Sequence, residues 1–172
     1  MMEVDLKICK VRSWRHDDGK AIVRHANNRN VWINLRDRFP HPYTAADARR
    51  WLDVVVGQNP ETNFAISVGN EAVGGIGYIL QNDVSRRTAE IGYWLGEQYW
   101  GRGIATAAVQ AVTEHAFNQH KLVRIYAHVF SWNPASARVL EKVGYEFEGR
   151  LRKSVLKDGQ TIDQLMYAKI LL

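Results

Sequence analysis

Along the chain two spacings of apolar residues take turns, one repeating every second position as in a strand and one every third or fourth as in a helix. Residues 4 to 12 read as a strand, followed by a helical stretch around Asp17 to Asn27 and a polar, aromatic loop through Phe39-Pro40-His41-Pro42-Tyr43. Thr44 opens a better-defined helix: Asp47 three residues on completes the pattern of a capping box, and Gly57 suits the C-terminal stop. Three strand-like runs follow between Asn63 and Leu95, namely FAISV, EAVGGIGYIL and AEIGYWL, and Gly69-Asn70 between the first two predicts a hairpin. A long helix is predicted from about Gly101 to Asn118, with Ile104, Ala108, Ala111, Val112 and His115 along one side, and then a β-rich run, LVRIYAHVF. Strand, full helix and strand in succession predict parallel neighbours in a β-α-β unit. Asn133 as N-cap, Pro134 at the first helical position and Gly144 past the end bracket another helix. The last two strands, about Tyr145 to Leu156 and Thr161 to Ile170, flank the turn dipeptide Asp158-Gly159. The sum is an α/β (α+β) fold: a mixed, mostly antiparallel sheet with one central parallel pair, flanked by helices.

Composition narrows this to a single domain over residues 1–172, since 46% of the 172 residues are hydrophobic, 24% are charged, and no repeat or Ser/Gly/Pro-rich linker interrupts them. At this size burial suffices without staples, and a lone cysteine, Cys9, excludes an internal disulfide framework or a thiolate metal cluster. The longest apolar run, Ala72 to Leu80, is broken by Gly74, Gly75 and Gly77 and falls short of the ~18–20 residues of a membrane span. With no apolar leader in MMEVDLKICK, a soluble cytoplasmic protein is expected. The net charge of +5 favours anionic ligands in general, but no basic block singles out nucleic acid.

The segment Gln98-Tyr99-Trp100-Gly101-Arg102-Gly103-Ile104-Ala105 lies between a predicted strand and a predicted helix. Glycines there let the backbone approach a ligand, and the first N–H groups of a helix, having no internal partners, can point at an anion such as a diphosphate. A Walker loop is absent, and the dinucleotide fingerprint fails because Thr106 stands where its third small residue belongs. Spacing alone leaves open a glycine turn that binds nothing.

Gln98, Gly101 and Gly103 spell Q-x-x-G-x-G, which resembles the acyl-CoA pyrophosphate signature of the GNAT superfamily of N-acyltransferases. FPHPYT at 39–44, EIGYWLGEQYWGRGIAT at 90–106, NPAS at 133–136 and EKVGYEFEGRLRKSV at 141–155 look like its RimJ/RimL branch of protein N-terminal acetyltransferases. The resemblance spans nearly the whole chain and implies acetyl-CoA as co-substrate. It also implies central parallel strands that splay into a wedge, with the pantetheine arm paired along Tyr93, Trp94 and Leu95. The diphosphate would rest on the amides from Gly101 through Arg102, Gly103, Ile104 and Ala105 to Thr106.

Direct attack of a neutral amine on a thioester, the implied reaction, needs a base, an oxyanion donor and a proton for the leaving sulfur. Near pH 7.5 roughly a third of an α-amine but only about a thousandth of a lysine is neutral, so an N-terminal acceptor needs little help. Glu90, opening the strand AEIGYWL, is the candidate base, acting through water, its strength raised by any partial burial; the plain alternative is a solvated glutamate balancing Arg86 or Arg87. The oxyanion donor is expected to be a backbone N–H near Trp94 or Leu95. The resemblance gives Asn133 a contact to pantetheine and brings the Ser136 hydroxyl near the sulfur as proton donor, although Asn133 followed by Pro134 also makes a good helix start by itself. Two positions depart from relatives: Leu140 stands where many carry a tyrosine acid, and Val155 where some RimL-type enzymes carry a glutamate. Tyr145 reads as core.

Six histidines, His16, His25, His41, His115, His120 and His128, lack ligand spacing, so no metal is expected. Cys9 reads as a small packed side chain, and Trp14, Trp32 and Trp51 as core or cleft-wall aromatics. Arg24, Arg29, Arg36 and Arg38 surround the region where the family's acceptor cleft lies and are either readers of an acidic acceptor or a solvated basic face. The expected function is therefore acetyl-CoA-dependent N-acetylation of a primary amine, first of all a protein or peptide N-terminal α-amine, by a monomer or homodimer. A small amine (polyamine, amino acid or antibiotic) is the second acceptor. A peptide requires an open groove between the Asp17–Gly57 region and the Lys153–Gln160 hairpin, a small amine a closed acidic pocket. A non-catalytic acyl-CoA sensor and an RNA-binding surface are the rivals from other classes.

Overall fold

Alternation and capping account for most of the elements in the computed structural model, which describes residues 2–171. In chain order these are β1 (Glu3–Asp5), β2 (Lys10–Ser13), α1 (Gly19–Ala26), α2 (Arg29–Trp32), α3 (Ala45–Val55), β3 (Asn63–Val68), β4 (Glu71–Leu80), β5 (Thr88–Leu95), α4 (Ile104–Gln119), β6 (Arg124–Phe130), α5 (Pro134–Lys142), β7 (Glu146–Lys157) and β8 (Gln160–Ile170). Thr44 and Asp47 close the expected capping box of α3: the Asp47 N–H donates to Thr44 Oγ1 at 3.3 Å and the Thr44 N–H to Asp47 Oδ2 at 2.8 Å. Asn133 caps α5 by accepting the Ser136 N–H at 3.3 Å, with Pro134 as its first residue.

Two readings change. The stretch 4 to 12 is a hairpin of two short strands, reversed where Lys7 takes a left-handed φ of 69° and its N–H donates to Asp5 Oδ1 at 2.9 Å. An aspartate two residues ahead satisfies the turn locally, so polar Asp5 and Lys7 mark a reversal inside an otherwise strand-like run. The helix expected from Asp17 is a 3-10 turn over His16–Asp18 running into α1.

The eight strands form one sheet in the order β1-β2-β3-β4-β5-β6-β8-β7, antiparallel throughout except between β5 and β6. α4 and α5 cover one face, where Ala89, Ile91 and Leu95 of β5 and Ile125, Ala127 and Val129 of β6 pack with Ile104, Ala108, Val112 and Leu140. α1 and α3 cover part of the other, where Trp94 packs beside a cluster of Trp14, Ile22, Ala48 and Leu52. Because side chains alternate along a strand, Glu90 and Gly92 share the face of Trp94, and Tyr93 shares that of Ile91.

Candidate active site

β5 and β6 pair only over Thr88–Glu90 and Arg124–Tyr126. Beyond Glu90, β5 stays bound to β4 as far as Leu95↔Gly74, while β6 follows β8 as far as Phe130↔Gln164, so the two central strands part. A cleft of about 1030 Å³ runs through the gap, bordered by Gly101–Thr106 on the α4 side and by α3 on the other. Hydrogen bonding in β5 shows which groups face it. The Gln81 N–H donates to the Thr88 carbonyl at 3.0 Å and the Gly96 N–H to the Val73 carbonyl at 2.8 Å. In an antiparallel ladder of constant register this directs the polar groups of every second residue, Thr88 through Trp94 to Gly96, at β4. The N–H groups of Tyr93 and Leu95 are left for the gap, and Trp94 contributes its indole, 5.5 Å from the Phe39 ring, rather than its amide. The Leu95 carbonyl is taken by Trp100 Nε1 at 2.7 Å.

The start of α4 carries no side-chain cap. Its N-cap is Gly103, left-handed at φ 79°, preceded by Gly101 at φ 72°. A Cβ on Gly101 would meet nothing within 4 Å, so the turn faces open space. Among the described residues the first amides of the helix have no hydrogen-bond partner, and they line the same cleft as Arg102, Arg138 and Lys142. Uncapped amides, open space and three cations fit the diphosphate of a coenzyme A thioester. Gly101, Arg102, Gly103, Ile104, Ala105, Thr106, Tyr93, Trp94, Leu95 and Asn133 all line the cleft, whereas Gln98 is exposed outside it in the 3-10 turn Glu97–Tyr99.

Ser136 meets Tyr93 across the gap. The phenol lies 2.7 Å from Ser136 Oγ and 3.2 Å from the Ser136 carbonyl oxygen, and burial pushes its pKa up to about 12. A phenol has one proton to donate. When Tyr93 gives it to Oγ, the Ser136 hydrogen is free to point into the cleft. Leu140 is fully buried, and Tyr145 is core, bonded to Thr113 at 2.7 Å.

Glu90 faces the α3 side. Its Oε1 accepts from His128 Nδ1 at 3.1 Å and from the Arg36 guanidinium. Burial pushes the carboxyl up, but the His128 hydrogen bond and the Arg36 charge outweigh it, and the pKa ends below the usual range. This corrects two expectations: the net shift is downward, and the balancing cations are not Arg86 and Arg87, whose side chains donate to the carbonyls of Asp83 and Lys121. Next to Glu90 the floor is bare at Gly92, where a Cβ would meet nothing within 4 Å, whereas its partner Gly77 makes room for Asn63, whose Oδ1 a Cβ there would meet at 2.5 Å. The trough continues past Ile79, cross-strand from Glu90, to the exposed Trp51 and Val54 of α3.

Sequence reasoning missed His128, the Tyr93 hydroxyl and the Gly77–Gly92 floor. Alternation could have found the first, since in strands expected to be parallel neighbours Glu90 and every second residue of LVRIYAHVF share a face once the register is known. Of the four arginines expected around an acceptor cleft, Arg24 pairs with Glu71, Arg29 with Asp158 and Arg36 with Glu90; Arg38 lines the cleft with no partner among the described residues.

Comparison with known proteins agrees with this geometry. The chain is 27% identical to the uncharacterized N-acetyltransferase YnaD of Bacillus subtilis, over 97% of this chain and 96% of that one. It is 26% identical to spermidine N(1)-acetyltransferase of Escherichia coli, over 88% and 80% of the two chains. The structure of Mycobacterium smegmatis RimJ in complex with a CoA disulfide superposes with a TM-score of 0.79 at 26% identity, covering 94% of this chain and 81% of that one. Residues 10–146 match the family described as acetyltransferase (GNAT) domain, and the chain, whose uncapped helix start and parted strands suit a coenzyme A thioester, belongs to that family of acetyl-CoA-dependent N-acetyltransferases.

Proposed function

We propose that the acceptor of this N-acetyltransferase is the α-amine of a peptide or protein N-terminus, and that Glu90 and Ser136 serve the proton movements of the transfer. The observation that carries the acceptor reading is the trough beyond Glu90, floored by Gly92, Gly77 and Ile79, walled by Trp51 and Val54, and open along α3. An extended chain with apolar side chains suits it. A polyamine, the substrate named for one relative, needs unpaired carboxylates. Here the Glu90 and Asp47 carboxylates of the cleft are each matched by an arginine, Arg36 and Arg50, and Arg38 adds a further positive charge. The groove expected for a peptide between the Asp17–Gly57 region and the Lys153–Gln160 hairpin is bridged by Arg29 to Asp158 at 2.6 Å and by the buried Lys157 to Asp37 at 2.9 Å; that expectation is corrected, and the route proposed in its place is the trough along α3.

Bound acetyl-CoA supplies an activated acyl group as a thioester. The chain supplies the rest: the amides of Ile104 to Thr106 and the cations Arg102, Arg138 and Lys142 hold the phosphates, and the Tyr93 and Leu95 N–H groups stand at the gap as hydrogen-bond donors. Ser136 presents its hydroxyl hydrogen on the α5 side, and Glu90 anchors the acceptor side. Paired polar groups on both sides of the gap favour transfer over a sensor, which needs the glycine turn alone. We place this activity in the cytoplasm, with which a single buried free thiol, Cys9, is compatible.

Release of coenzyme A thiol, measured over tetrapeptides with free and with blocked N-termini, free amino acids and spermidine, tests the reading. Turnover on free-N-terminus peptides, lost on blocking, is the expected result. Preference for spermidine, or binding of coenzyme A with no turnover on any amine, would overturn it.

A further inference from the structure

We propose that His128 is the proton acceptor of the transfer, and that Glu90 and Arg36 act through it by holding its ring. The inference rests on the acetyltransferase chemistry of the family and not on which amine is used. Glu90 on β5 and His128 on β6 project from the same face at the point where the two strands part, and both line the cleft. Glu90 Oε1 lies 3.1 Å from His128 Nδ1 and is itself gripped by Arg36, which fixes the carboxylate in place. An ionised carboxylate can only accept, so Nδ1 carries the ring proton and Nε2 of the neutral imidazole holds the lone pair. Nε2 has no hydrogen-bond partner among the described residues. Tyr126, two residues back on the same strand, packs edge-on at 5.6 Å and steadies the ring.

Glu90 is poorly suited to take the proton itself. One of its oxygens already receives two donors, and His128 and Arg36 both favour its charged form. Even an ordinary glutamate, at about 4.3, lies far below an α-ammonium at about 7.7–8.0, whereas imidazole as a class titrates at about 6.5. A base is most effective when its pKa is near the working pH. The charged groups that face His128 are Glu90 from β5, Arg36 and Asp37 from the segment after α2, and Lys157 from β7. The last three line a second cavity of about 380 Å³ that His128 also borders, and Lys157 and Asp37 are paired with each other.

In the step so assigned, the amine nitrogen forms its bond to the acyl carbon while the carbon–sulfur bond breaks and its electron pair leaves with sulfur. The proton shed by nitrogen passes to His128 Nε2. The imidazolium, facing the Glu90 carboxylate, then returns that proton to water, and the sulfur takes one from solvent or the Ser136 hydroxyl.

The test is the pH dependence of kcat/KM with a free-N-terminus tetrapeptide, or with spermidine if the peptide is not a substrate, for wild type, His128→Gln, Glu90→Gln and His128→Ala with added imidazole. Far into acid, wild type needs both an unprotonated amine and an unprotonated imidazole, so kcat/KM falls about 100-fold per pH unit; His128→Gln, needing only the amine, falls about 10-fold. At neutral pH His128→Gln is expected to lose about 10²-fold or more in kcat with coenzyme A affinity kept, and imidazole is expected to restore part of the rate of His128→Ala. Glu90→Gln is expected to lose less and to keep the steeper slope. A His128→Gln enzyme that keeps the wild-type slope, or a slope lost in Glu90→Gln alone, would overturn the proposal by naming another base. A preference for spermidine bears on the acceptor reading and leaves this result legible.

Discussion

At the scale of single residues, the site depends on side chains that are missing as much as on those present. Gly92 has an ordinary strand φ and only open cleft above its Cα, so Gly92→Val adds bulk to the trough without backbone strain. We expect Gly92→Val to keep its melting temperature and its coenzyme A affinity while kcat/KM for the acceptor falls at least about tenfold; calorimetry and thiol release measure both. Glu90 makes a separate prediction. A carboxylate whose folded pKa is depressed stabilises the fold above its unfolded pKa, about 4.3 for glutamate, and that contribution is lost as pH falls through the folded value. Glu90, Glu71 beside His25 and Arg24, and Glu148 beside Arg124 are all of this kind. The melting temperature is therefore expected to drop below about pH 4.3, and Glu90→Gln to make that drop shallower while lowering the value at neutral pH.

At the scale of elements, we propose that the start of α4 holds the cofactor's phosphates. Gly103→Ala puts a Cβ at a φ of 79°, where the nearest atom, Ile8 Cδ1, is at an ordinary 3.8 Å, so the cost is conformational rather than steric. A left-handed alanine costs roughly 1–2 kcal/mol. We expect Gly103→Ala to fold with a lower melting temperature and to bind coenzyme A roughly tenfold more weakly, because the helix start relaxes away from the geometry that points its amides outward. This element was legible in the sequence because its glycines have a local, steric reason to be there. So were α3 and α5, whose caps Thr44–Asp47 and Asn133–Pro134 are satisfied within four residues. The β1–β2 reversal at Lys7 was harder to read, since a lysine in a left-handed turn depends on the Asp5 carboxylate. Gln98 belongs to the same motif as Gly101 and Gly103, yet it is exposed in the 3-10 turn Glu97–Tyr99 and is not among the residues that line the cleft.

At the scale of the whole molecule, the sheet is a partition that opens where β5 and β6 part. The proposed cofactor side, covered by α4 and α5, and the proposed acceptor side, covered by α1 and α3, communicate through that opening. Sequence order announced the parallel pair, because a full helix separates AEIGYWL from LVRIYAHVF. It could not announce that β8 would pair with β6 and draw it away from β5, nor the register that sets Glu90 against His128 and Ile79. Both depend on contacts between segments far apart in the chain. The fold was thus largely readable from local pattern, whereas the acceptor side, assembled from residues 29–55, 75–92, 128 and 157–164, was not.

We propose that the α4 amides and the gap-facing amides of β5 receive the cofactor. Amide hydrogen exchange at single-residue resolution, with and without saturating coenzyme A, tests it most directly. New protection is expected at Ile104, Ala105, Thr106, Tyr93 and Leu95, with the Trp94 amide, already directed at β4, unchanged. Protection that skips the α4 amides, or that appears at Trp94 in place of its two neighbours, would contradict it.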